Sequence, residues 1–232
     1  MELKLKGQNN RICPYIKPFE ILIAFNIYYF KWLCKKRKGE CKMSKKKQSP
    51  NMGKKFEQNF KTAVEQAKNG DVFIYRIKDT DTSYNRTETS KYTHENLCDY
   101  FMFYKGILYA LELKSTCYKS IGFELDKEKP QKMIKAHQIE GLTKLIPYEN
   151  IIGGFVFNFR DEEREQEQTY FMRIEDFNEF ASNADKKSIN AGDIVIYGGI
   201  PVENEKKRKW FTYNVSKMID DIKEEFIDKE GV

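Results

Sequence analysis

The stretch that most constrains this chain is Asp99-Tyr-Phe-Met-Phe-Tyr104, Lys105-Gly106, Ile107-Leu-Tyr-Ala-Leu-Glu-Leu-Lys114. Two aromatic and branched runs around a two-residue connection containing glycine predict a β-hairpin. A turn centred on Lys105-Gly106 pairs residues whose numbers sum to 211, which sets Asp99 opposite Glu112. Opposed side chains have Cβ atoms about 4.5–5.5 Å apart, where two like charges destabilise the pair and call for a cation. The strand period of two puts Lys114 on the same face as Glu112. Two carboxylates and one lysine therefore converge at one strand end.

Around this hairpin the chain alternates helix and strand patterns. Phe56, Phe60, Ala63, Val64 and Ala67 follow helical spacing over 54–68, and Val72 to Ile77 alternates as a strand. The polar stretch 78–94 is too long for a plain turn, and connections above about 12 residues inside a domain are usually functional or disordered. Tyr84, Arg86, Lys91 and Tyr92 give it stacking faces and positive charge, although a solvated loop is the plainer reading. Farther on, the pattern predicts a helix over 130–146 with Ile134, Leu142 and Leu145 buried, and strands over 151–159 and 169–174 separated by a charged insertion at 161–168. A short helix at 175–181, a short strand at 193–197 and a last helix marked by Val215, Met218, Ile219, Ile222 and Phe226 complete a mixed α/β domain.

Charge and cysteine usage narrow the function classes. The chain has 41 Lys and Arg against 35 Asp and Glu, a net of +6. Residues 1–42 hold ten basic and three acidic residues, which leaves 31 against 32, a net of −1, for 43–232. Net charge therefore says little about the partner of the main body. Five cysteines without a CxxC pair and two histidines argue against a zinc site or a disulfide framework and fit a reducing, cytoplasmic compartment. The longest uncharged run near the start, Ile21 to Phe30, is far shorter than the roughly 20 residues of a spanning helix, so no membrane partner is expected. The head 1–42 has three readings: a signal peptide interrupted by Glu20, Asn26 and Lys31, a surface-binding segment with aromatics beside Lys35 to Lys38, or an extension outside the working protein. The third is favoured, because Met43 opens a polar stretch just before the first helix; translation is then expected to begin at Met43 or Met52, with 43–232 as the working domain.

The hairpin carries the chemistry. Mg²⁺ suits two carboxylates, because it keeps several waters and is completed by phosphate oxygens; Mn²⁺ is an expected substitute. The reaction predicted is metal-dependent phosphodiester hydrolysis, with Lys114 stabilising charge on the attacking water or the phosphoryl oxygens. The plainer alternative is a surface salt bridge between Lys114 and a carboxylate. Glu57, beside Phe56 and Phe60, is a further candidate carboxylate, or else an exposed partner of Lys61. Gln138 could serve the scissile phosphate or a metal-bound water, or be a satisfied core amide. Lys206-Lys207-Arg208-Lys209 beside Trp210, Phe211 and Tyr213 is the best basic patch for DNA, with a solvated loop as its alternative.

Asp99 followed by Glu112-Leu-Lys114-Ser-Thr116 resembles the PD-(D/E)xK nuclease signature in the form found in RecU-type Holliday junction resolvases. The likeness extends to 99–106, to Lys135-Ala-His-Gln-Ile-Glu-Gly-Leu142, to Ile152-Gly-Gly-Phe-Val-Phe157 and to Lys187-Ser-Ile189 with Pro201, over roughly 52–222. Cys98 replaces the signature's proline, and the head 1–42 has no counterpart. The resemblance implies a restriction-endonuclease-like mixed sheet flanked by helices, with 78–94 as a protruding stalk-like segment that enters the junction. It further implies a homodimer and Mg²⁺-dependent, paired symmetric nicking of four-way DNA junctions in recombination and repair. Residue by residue, Asp99 and Glu112 match the metal ligands, Lys114 the catalytic lysine, Glu57 the helix carboxylate and Gln138 a supporting residue. DNA contacts are expected from Arg76, Tyr84, Arg86, Lys91, Lys207 and Arg208. Two alternatives stand beside this one: another endonuclease of the same superfamily, of restriction or repair type, and a non-catalytic junction-binding protein.

Overall fold

The computed structural model describes residues 51–77, 96–161, 163–208 and 210–227, all inside the compact unit Gln48–Val232. The head 1–42, the proposed start at Met43, and Tyr84, Arg86 and Lys91 of the 78–94 segment lie outside the described residues.

The first helix, α1 (Asn51–Gln66), buries Phe56, Phe60, Ala63 and Val64 as its spacing predicts. It leads to β1 (Phe73–Arg76), and then to the hairpin of β2 (Tyr100–Tyr104) and β3 (Ile107–Thr116). The 211 pairing holds from Tyr100↔Leu111 to Tyr104↔Ile107. Lys105 and Gly106 both take positive φ, 47° and 86°, the backbone of a turn whose twist matches its strands. From β3 the chain passes through β4 (Ser120–Gly122) and α2 (Ala136–Thr143) before β5 (Ile151–Asp161) returns parallel to β3. A parallel return needs such a crossover. The rest runs β6 (Gln166–Arg173), α3 (Ile174–Asn183), β7 (Ser188–Asn190), α4 (Ala191–Ile196), β8 (Ile200–Val202), β9 (Asn204–Lys206), β10 (Phe211–Tyr213) and α5 (Val215–Phe226).

The main sheet has the order β1-β2-β3-β5-β6-β8, antiparallel except for β3 with β5. Pro201 sits on the edge strand β8, where a missing backbone donor is tolerated. One apolar layer joins α1 and α5 to Tyr109, Leu111, Leu113, Val156 and Phe171. The other joins α2 and α3 to Ala110, Phe155, Phe157 and Met172, so alternate residues of β3 serve opposite layers. The result is the expected mixed α/β sheet flanked by helices, consistent with a restriction-endonuclease-like fold. Among the described residues no helix is long and apolar enough to cross a membrane.

Four expectations need correction. The helix predicted over 130–146 spans only Ala136–Thr143. Ile134 is buried but extended, bridging Phe123: its N–H donates to Gly122 O at 3.0 Å, and its carbonyl accepts from Glu124 N at 3.1 Å. The short strand predicted at 193–197 is part of α4, because Asn190 Oδ1 accepts from Asp193 N at 3.0 Å while Asp193 Oδ2 accepts from Asn190 N at 2.9 Å. That reciprocal cap outweighs the β-branched run that follows it. The strand predicted over 169–174 begins earlier and stops at Arg173, with Ile174 already helical. Half of the 161–168 insertion is paired strand, since β5 and β6 stay in register out to Asp161↔Gln166. The ribbon of β4 with β7 was not predicted at all.

Candidate active site

Glu112 and Lys114 project from the middle of β3 on the side of the sheet that carries α2. Glu112 is only 2% exposed, and Lys114 Nζ lies 2.8 Å from its Oε1. The Gln138 amide Nε2 donates to the same oxygen. Gln138 can do this because its other end is anchored: Oε1 accepts from Lys135 N at 3.0 Å, across the first turn of α2. The start of the helix thus fixes the orientation of the amide.

Asp99 reaches the site by a local departure from the 211 register. Its N–H donates to Leu111 O at 3.1 Å, one residue short of that pairing, so the ladder slips where β2 begins. The Leu113 N–H donates instead to Asp99 Oδ2 at 3.0 Å. Asp99 is therefore not squarely opposite Glu112, yet its charge still acts on it. Burial pushes the Glu112 carboxyl up, Lys114 pulls it down and Asp99 pushes it up again, which together raise it to about 7.

Glu57 projects from α1 on the other side of the sheet, paired with Arg76 Nη2 at 2.9 Å and not with Lys61, whose partner is Glu65. Burial raises the Glu57 carboxyl, Arg76 opposes that, and Asp99 and Lys114 are close enough to be felt. Arg76 also lies over the Tyr100 ring, 5.8 Å from its centroid. Lys207 and Arg208 stand at the exposed tip of the β9–β10 hairpin, with Lys207 paired to Glu205 at 2.5 Å. Cys98 is buried and its thiol is pushed up to about 12 by burial, with Glu112 and Asp99 adding to the shift, which leaves it unreactive.

Sequence reasoning missed a second polar cluster on the α1 side. Arg160 Nε donates to Ser115 Oγ at 3.0 Å, Ser115 Oγ donates to Asn158 Oδ1 at 2.7 Å, and Asn158 Nδ2 donates to Glu167 Oε2 at 3.0 Å. Tyr213 OH donates to the same Glu167 oxygen at 2.7 Å. The signal was legible in Phe155-Val-Phe-Asn-Phe-Arg160, where the aromatics take one face and Asn158 and Arg160 the other.

The Asp99 and Glu112 carboxylates are hard oxygen donors of the kind that hold Mg²⁺, and burial biases Glu112 toward its neutral form, a bias that a bound cation would oppose. Among the described residues no group of three or more His, Cys, Asp and Glu is placed to hold a metal ion, so these two carboxylates would supply only part of the ligands of a hard cation. Because the native carboxyl holds its proton above the ordinary 4.5, the folded state binds more protons than the unfolded one up to about pH 7. Metal-free protein is thus expected to lose thermal stability as pH rises through that window, and Glu112→Gln to flatten the slope. Added Mg²⁺ should raise Tm more at about pH 8 than at about pH 6, since the ion competes with that proton. Equal shifts at both pH values would place the ligand elsewhere.

A twisted mixed sheet with an acid at the mouth of one strand and a Glu-x-Lys on the next defines the class, a restriction-endonuclease-like α/β protein. The family model described as recombination protein U, RecU, matches residues 50–212, and the chain belongs to that family, one of Holliday junction resolvases. It is also similar to the SPbeta prophage-derived uncharacterized protein YotM of Bacillus subtilis (strain 168), with 34% identity over 192 residues, covering 77% of this chain and 91% of that protein.

Proposed function

We propose that the protein is a Mg²⁺-dependent endonuclease that resolves four-way DNA junctions by paired, symmetric nicks in recombination and repair. The observation that carries this reading is the buried Glu112 carboxylate, joined by Lys114 and Gln138 and electrostatically coupled to Asp99, in a chain of the RecU family. Asp99 and Glu112 would hold the Mg²⁺, with Mn²⁺ a substitute. When bound, the ion supplies Lewis-acid polarisation of the scissile phosphate and activation of water. Lys114 places a fixed positive charge where negative charge develops on the phosphoryl oxygens. Gln138 holds the Glu112 carboxylate in one orientation, and Glu57 with Arg76 forms the wall of the site on the α1 side. DNA is gripped by Arg76, Lys207 and Arg208, and by Tyr84, Arg86 and Lys91 of the 78–94 segment, which we assign to the centre of the junction. Residues 43–232 make up the working nuclease, which acts in the cytoplasm as a homodimer, since a two-fold assembly presents two equal sites to two equivalent strands.

The test is cleavage of a labelled four-way junction beside a matched linear duplex, with Mg²⁺ or with EDTA. Paired, metal-dependent nicks in the junction alone are expected. Equal cutting of the duplex would favour a general endonuclease, and binding without nicks a structural junction protein. Gln138→Ala is expected to raise the Mg²⁺ concentration needed for half-maximal cleavage by about 10–100-fold with little change at saturation, the usual cost of removing a group that orients a ligand.

A further inference from the structure

Besides the acidic site the molecule carries a cleft of about 350 Å³, within the range of small-ligand pockets. It opens between the first half of α1, the β5–β6 tip and the β9–β10 tip. Lys55, Asn59, Arg160, Glu167, Arg208 and Trp210 line it. Its rim and its floor differ in kind. Trp210 is 52% exposed, an indole offered to solvent with Arg208 near it in sequence, and Lys207 N donates to Trp210 O at 2.7 Å, closing the hairpin tip that presents it. Arg160, 6% exposed, is held through Ser115, and Glu167 is held through Tyr213 and Asn158, so a fixed donor and a fixed acceptor stand side by side.

With Asp161 and Glu165 beside Glu167, and Lys206 beside Lys55, Arg160 and Arg208, cations and carboxylates nearly balance in this cleft, which suits a bare phosphate poorly. A planar heterocycle suits it well: an aromatic face for stacking, and an edge of donors and acceptors to meet a guanidinium and a carboxylate. The cleft is also tied to the acidic site. Ser115, the partner of Arg160, follows Lys114 directly, and Arg160 lies three residues beyond Phe157, the position on β5 paired with Lys114. At about 3.3 Å per residue that is about 10 Å along the strand, and since the two sites face opposite sides of the sheet the DNA strand would also turn around its end.

We propose that this cleft receives one unpaired nucleobase of the DNA strand being cut, stacked on Trp210 with its edge against Arg160 and Glu167. The inference rests on the nuclease reading above and deepens it: branched DNA would be distinguished from duplex partly by offering a base that can leave its stack.

The experiment uses the full chain carrying Trp32→Phe, so that Trp210 is its single tryptophan. Its fluorescence is followed during titration with a four-way junction, a single-stranded oligonucleotide and a linear duplex, in EDTA so that no strand is cut. Quenching by the junction and the single strand, but not by the duplex, is expected, because a stacked base quenches an indole. Trp210→Ala should weaken junction binding on the order of tenfold, and Trp210→Phe should restore most of it, since stacking needs a ring and not the indole N–H. Junction binding that leaves Trp210 fluorescence unchanged, or quenching of equal size by the duplex, would overturn the proposal. Wild-type protein that neither binds nor cuts the junction would instead overturn the nuclease reading, so the two failures are distinguishable.

Discussion

Glu112→Gln is expected to lower junction cleavage on the order of 10³-fold or more while leaving junction binding nearly intact. The substitution keeps the shape of the side chain, so an amide oxygen can still accept from Lys114. What disappears is the negative charge that would hold a divalent cation. A gel-shift titration in EDTA beside a cleavage time course in Mg²⁺ separates the two effects. The folded protein should be at least as stable as the parent at alkaline pH, because a buried carboxylate pushed up to about 7 is a charge the interior tolerates poorly. Cleavage within a few-fold of the parent would remove Glu112 from the metal site.

Phe177→Ala should produce the largest loss of stability, about 3–5 kcal/mol, because the fully buried ring is the hub of an aromatic cluster. It lies 4.8 Å from Phe155, 5.4 Å from Phe123, 6.4 Å from Phe180 and 6.5 Å from Phe157, centroid to centroid. In a domain of this size the expected fall in Tm is about 10 °C. Thermal unfolding checks it, and a fall of only a few degrees would mean that the neighbours collapse into the cavity. The cluster lies in the same layer as Glu112, so cleavage at raised temperature should fail first, while the rate at low temperature stays near that of the parent.

What could be read in advance divides by range. The β2–β3 register was legible because the Lys105-Gly106 connection leaves only one pairing, and α1 and α5 because their apolar spacing is long enough to be unambiguous. Elements whose shape depends on distant partners were not. Ile134 reads as helical until Phe123 bridges it, and Ser120–Gly122 has no strand signal without Ser188–Asn190 beside it. At the site, Glu112 with Lys114 followed from the period of two, whereas the slip of Asp99 to Leu111 depends on Leu113 finding a side-chain acceptor. The Glu57 pairing with Arg76 needed the packing of α1 on β1, which no local pattern contains.

The parallel pairing of β3 with β5 divides the site into a part that is fixed and a part that can be adjusted. β5 holds β3 from Leu108 to Thr116, so Glu112 and Lys114 keep their height and their face whatever the hairpin does. Asp99 is held by Leu111 and Leu113 on the β3 side and by Ile77 on the other, whose N–H donates to the Asp99 carbonyl at 2.9 Å. A shift of the β1–β2 pair along β3 would therefore move one acid and leave the other acid and the lysine in place. The spacing between the two carboxylates is in this sense a tunable length, set by how β1 and β2 seat on β3 and separate from the frame that carries the lysine.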